Sequence, residues 1–122
     1  MEQGMVNFDE VRSFVDKLGD LHDARVIALD LDVPESRLVV KFGDIYSNFL
    51  GMAAYPGKFD AEVEFVGISS FKSSMRMNDT CLRISEVNVS GSGKYPGFSI
   101  IFEGGDEMAF EFQKAFLPEL LI

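Results

Sequence analysis

The sequence predicts an α+β domain: one N-terminal helix followed by a curved, mainly antiparallel sheet of about six strands, a half-barrel-like meander. Three observations predict it. Apolar residues recur at helical spacing over about residues 8–18 and then with a period of two over about residues 24–113. The connections between alternating runs are mostly hairpin-length and carry glycine or proline. No second long amphipathic segment separates the strands, which disfavours the long crossovers that parallel strands need.

The helix is read from about Phe8 to Leu18. Asn7 is suited to the N-cap, and Glu10 is placed to reach back in a capping box. Val6 and Val11 have the spacing of a hydrophobic staple. Val11, Phe14, Val15 and Leu18 make one apolar stripe, and Gly19 ends it where a left-handed residue is usual.

After Asp20-Leu21-His22-Asp23-Ala24-Arg25 the period becomes two. Ile27, Leu29, Leu31 and Val33 are expected to face inward, and Val26, Ala28, Asp30 and Asp32 outward. Pro34-Glu35-Ser36 is a turn, and Leu38, Val40 and Phe42 alternate against Arg37, Val39 and Lys41 to complete a hairpin. The stretch 43–58 does not alternate. Its Tyr46, Phe49 and Tyr55 predict a loop packed by its own side chains or containing a short helical turn.

Strand character returns over Phe59–Lys72, with a disturbance at Val66-Gly67-Ile68 where Gly67 marks a bulge. Residues 73–79 form a turn region. Thr80–Ser90 is a strand whose apolar parity switches between Ile84 and Val87, which places a bulge near Ser85-Glu86. A loop follows at residues 91–97. In the last hairpin Phe98, Ile100 and Phe102 face inward, Gly104-Gly105-Asp106 turns, and Met108, Phe110 and Phe112 return. The apolar segment 115–122 is expected to dock on the sheet or to form a dimer contact. The whole chain, residues 1–122, reads as one domain.

Charge limits the partners. The chain holds 20 acidic and 11 basic residues, for a formal net charge of −9. Residues 1–35 carry nine acids and three bases, residues 36–102 six and seven, and residues 103–122 five and one. A nucleic-acid binder needs cations to neutralise phosphates, and an anionic membrane makes the same demand, so neither is expected as a partner. A basic protein is compatible. One cysteine, Cys81, excludes an internal disulfide. With no secretory pattern at Met1–Met5 and no apolar run near the length of a membrane span, the expectation is a cytoplasmic protein.

Few residues offer chemistry. His22 is the only histidine, and a general base would want an orienting carboxylate that its neighbour Asp23, in an extended segment, is badly placed to supply. The pair reads better as a fastener that bonds free backbone groups where helix meets strand. No catalytic residue is assigned. No metal is expected either: His22 and Cys81 stand far apart, and Asp30-Leu31-Asp32 offers two carboxylates on a face expected to be solvated. Cys81 lacks a nearby base and reads as a packed thiol. Gly91-Ser92-Gly93-Lys94 lacks the spacing of a phosphate loop, and Tyr95 stands where serine or threonine is required. No cofactor is expected.

The assembled pattern resembles a loose group of small bacterial families. They share a short helix, a Leu-His-Asp-(Ala or Ser) motif opening a strand, a hairpin and a terminal aromatic hairpin. Here Leu21-His22-Asp23-Ala24 carries the motif, 98–102 and 108–112 carry the terminal hairpin, and the likeness spans about residues 7–113. Some members are immunity proteins of polymorphic toxin systems. The resemblance implies a non-enzymatic domain that binds another protein, such as a basic toxin, and makes His22 and Asp23 family markers. The acids Asp20, Asp23, Asp30, Asp32 and Glu35 and the aromatics Tyr46, Phe49 and Tyr55 are the candidate contact residues. The alternative is a small-molecule-binding module with a pocket between the sheet and the helix or aromatic loop. Monomer and homodimer are both open.

Overall fold

A computed structural model describes residues 5–6, 8–53, 55–74, 82–91 and 95–120. The helix, α1 (Phe8–Lys17), buries Val11, Phe14 and Val15, and Leu18 continues the stripe one residue beyond its end. Gly19 terminates it with φ of 63°. Asn7 and the Val6 side chain, the expected cap and staple, lie outside the described residues.

The strands are β1 (Met5–Val6), β2 (Arg25–Asp32), β3 (Arg37–Gly43), β4 (Ala61–Val66), β5 (Ser70–Ser73), β6 (Ile84–Ser90), β7 (Gly97–Phe102), β8 (Glu107–Glu111) and β9 (Lys114–Phe116). Among the described residues they form two antiparallel sheets, one in the order β1-β9-β4-β3-β2 and the other β5-β8-β7-β6. The α+β class is therefore right, but the expected single curved sheet of about six strands is two sheets.

The reason is two bent strands that belong to both. The segment 61–73 leaves the first sheet as β4, turns at Gly67 and enters the second as β5, while 107–116 returns through Phe112 and Gln113. The Gln113 N–H donates to the Val66 carbonyl at 2.9 Å and the Ser69 N–H to the Glu111 carbonyl at 3.2 Å, so pairing continues round the corner. Gly67 has φ of 72°, and a Cβ there would lie 2.6 Å from Gln113 Cγ. Glycine meets both demands of this corner.

The two inner faces meet at Phe65. Its ring centroid lies 5.0 Å from Phe98, 4.8 Å from Phe110 and 5.0 Å from Phe112. Leu38, Val40 and Phe42 of β3 and the inward residues of the terminal hairpin are buried in the same core, as their alternation predicts. The helix α1 packs against β1 and β6, the outermost strands of the two sheets, and so closes one side of the core. At the C-terminal end Ala115 is buried in β9, and Leu117 and Leu120 pack partly buried against the core. The apolar segment thus begins as a strand.

The bulge expected near Ser85-Glu86 is present as a register shift between Ile84 and Glu86. A second bulge, between Val26 and Ala28, splits the inward set expected for β2: it puts Val26 inward in place of Ile27, while Leu29 packs against the core as expected. Val26 pairs with Phe42 and is buried, whereas Ile27 is 48% exposed. Beyond the bulge Leu29 and Leu31 lie opposite Val40 and Leu38, but Leu31 remains 40% exposed and Val33 71% exposed. The cause is that β2 ends its sheet, with no further strand beside that end among the described residues.

Candidate functional site

The chain between α1 and β2 is held in an uncommon conformation. Gly19, Asp20 and Leu21 have φ of 63°, 60° and 56°, and Asp23 has 68°. Left-handed residues normally occur singly, because Cβ crowds the following carbonyl. This left-handed turn is pinned from the loop after β3. There the 3-10 turn Ser47–Phe49 presents the Asn48 side-chain amide, which donates to the carbonyls of Leu18, Gly19 and His22 at 3.0, 2.9 and 3.1 Å. The Ser47 hydroxyl adds a 2.8 Å bond to the His22 carbonyl.

His22 reaches the second sheet. Its Nδ1 lies 2.9 Å from the Ser85 carbonyl, which can only accept, so Nδ1 carries the proton. The Asp23 N–H donates to the Ile84 carbonyl at 3.0 Å, and the Ile84 N–H to the Ala24 carbonyl at 2.8 Å. The left-handed φ of Asp23 brings its carboxylate 3.7 Å from His22 Nε2. Neighbours in an extended segment would point apart; here they do not. Both side chains are about half exposed.

The candidate acids spread along β2. Asp20 and Asp23 precede it, Asp30 lies exposed on its outer face, Asp32 is half-buried, and Glu35 is exposed in the following turn. The Glu35 N–H donates to Asp32 Oδ1 at 3.3 Å. Of the candidate aromatics, Tyr46 is buried and meets Phe49 and Phe59 edge to face, with centroids 6.4 and 5.8 Å away. Phe49 and Tyr55 pack partly buried against the core. The loop does contain a short helical turn, but the apolar side chains it presents to solvent are Leu50, Met52 and Phe59. Sequence reasoning missed these three because they neither alternate nor carry charge.

All the exposed large apolar side chains among the described residues therefore fall on β2, its turn and this loop. Where the two elements meet, a cleft of about 440 Å³ opens beside Asp23. Its charged lining comprises Asp23, Asp44 and Asp60 with Arg25, Lys58 and Arg83, and Ile27 and Leu50 are the apolar part. The Asp44 N–H donates to Asp60 Oδ1 at 3.1 Å, while Asp44 Oδ1 is buried without a hydrogen-bond donor. Apart from Asp23 these charged residues were not singled out from sequence; Gly43-Asp44 at the end of an alternating run was the available sign of an abrupt turn.

Among the described residues no three histidine, cysteine or carboxylate side chains converge as metal ligands. Cys81 and Ser92-Gly93-Lys94 lie outside the described residues. Among the described residues, no helix is long and apolar enough to cross a membrane. No protein-family model matches the chain, and no curated protein matches it.

Proposed function

We infer that the chain is a non-enzymatic bacterial domain that binds another protein along the edge of β2 that, among the described residues, has no neighbouring strand from Ile27 onward. One observation carries this reading: Ile27 and Leu31 on the edge strand and Val33 in the turn after it are exposed, and their neighbourhood holds Asp23, Asp30, Asp32 and Glu35. An unpaired edge offers backbone N–H and carbonyl groups to an extended segment, and side chains along it select the sequence. Apolar contacts ringed by acids suit a partner segment rich in apolar and basic residues. The long-range field of a chain with net charge −9 would speed its arrival. This is how an immunity protein would cover a basic toxin surface. The single cysteine and acidic balance fit a cytoplasmic setting.

The test is a low-salt pull-down with the purified chain and with a D30K/D32K/E35K variant, checked for folding by circular dichroism. The expected result is a basic partner retained by the natural chain, released by salt and not retained by the variant. Failure to retain any basic protein at low salt would overturn the reading.

A further inference from the structure

We propose that the cleft between β2 and the loop after β3 binds a small zwitterion of the α-amino-acid type. Its carboxylate would lie between Arg25 and Arg83 and its ammonium group against Asp44 and Asp60. The inference goes beyond the protein-binding reading and stands without it.

The first ground is the placing of like charges. Arg25 and Arg83 are directly opposed in an isolated antiparallel bridge, and both line the cleft. Two cations facing each other across a strand pair repel, unless an anion lies between them. Guanidinium groups are well shaped for that anion, since each presents parallel N–H donors to a carboxylate.

The second ground is that the opposite charges do not cancel one another. Among the described residues neither arginine nor Lys58 comes within ion-pair distance of a carboxylate, although Asp23, Asp44 and Asp60 line the same space. Asp23 has its contact with His22, and Asp60 orders the Asp44 backbone. Asp44 Oδ1 is buried with no donor. A buried acceptor without a donor is costly, and an ammonium group supplies one.

The third ground is shape. Gly43 lies opposite Arg25 in the β2–β3 register, and a Cβ on it would stand 3.1 Å from Ile27 Cγ2 and 3.5 Å from Asp60 Oδ1. The missing side chain keeps that part of the cleft open. Its volume of about 440 Å³ lies within the range of small-molecule sites, and Ile27 and Leu50 offer apolar contact to a ligand side chain.

The test follows backbone amide shifts of the full chain by NMR with three probes. L-Leucine carries both charges, 4-methylpentanoate lacks its ammonium group, and 3-methylbutylamine lacks its carboxylate. The expected result is saturable shifts at Gly43, Asp44 and Arg83 with leucine, and binding about tenfold or more weaker for each half-probe. Arg83→Gln and Asp60→Asn should each weaken leucine binding by a similar factor. The amide introduced by Asp60→Asn keeps a carbonyl oxygen to accept from the Asp44 N–H, so the loop retains its hydrogen bond. Absence of saturable shifts with leucine would overturn the proposal. So would equal affinity for leucine and 4-methylpentanoate, or unchanged leucine binding in both variants.

Discussion

The Asn48 side-chain amide lies 2.9 Å from the Gly19 carbonyl, and a Cβ at Gly19 would stand only 2.8 Å from the same nitrogen. The two residues are matched: the amide pins the left-handed turn because glycine leaves room for it. Gly19→Ala should therefore destabilise the protein by about 2 kcal/mol, combining a left-handed alanine with the crowding. Asn48→Ala should cost about 1–3 kcal/mol by leaving carbonyls without their donor. Urea unfolding of both variants checks this; an unchanged midpoint for Gly19→Ala would disprove the fit.

Asp20→Gly tests the same turn in the opposite sense. Asp20 is exposed and has φ of 60°. Glycine adopts that φ without the side-chain penalty but loses more chain entropy on folding. The expected outcome is a change within about 0.5 kcal/mol, in contrast to the loss at Gly19.

His22→Ala removes the bond from Nδ1 to the Ser85 carbonyl, a link from the turn to the second sheet. The group is half exposed, so water can replace part of what is lost. A loss of about 1 kcal/mol is expected in thermal or urea unfolding. If stability stayed the same while partner binding fell, His22 would belong to the contact surface instead.

Gly67→Ala and Phe65→Ala probe the union of the two sheets. The first should cost about 1–2 kcal/mol through the left-handed φ of 72°, more if Gln113 cannot move aside. The second should cost about 3–5 kcal/mol, because Phe65 is fully buried against Phe98 and Phe110 of the opposite sheet and Phe112 at the bend between the sheets. Calorimetry should show one transition in each case, since both substitutions act on strands shared by the sheets.

Ile27→Asp and Leu50→Asp separate surface from core. Both native side chains are substantially exposed, Ile27 at 48% and Leu50 at 73%, so stability should change by less than about 1 kcal/mol. Partner retention in the low-salt pull-down should fall in each. Retention equal to that of the natural chain would remove these residues from the contact surface.

The parts of the fold legible in the sequence were those with a repeated period. Val11, Phe14, Val15 and Leu18 announce α1, and Phe98 to Phe112 announce the last hairpin. Gly67 was legible as a disturbance, but nothing distinguishes a bulge within one sheet from a corner between two. That depends on the far side of the pair, where Phe112 and Gln113 make the matching bend. In β2 the run Val26-Ile27-Ala28-Leu29 is apolar throughout, so either parity fits and the bulge is hidden. The acids around β2 were legible as charge. The cleft was not, because Arg25, Asp44, Asp60 and Arg83 converge only through tertiary pairing.

The strand order has a consequence for synthesis. In the first sheet β9 separates β1 from β4, and in the second β8 lies between β5 and β7. Neither β1 nor β4 has its β9 neighbour until Lys114–Phe116 has left the ribosome. A nascent chain halted before that point carries α1 and the β2–β3–β4 meander with a strand edge still open. Of the strands described, β9 is made latest, and it is the one that locks β1 in place.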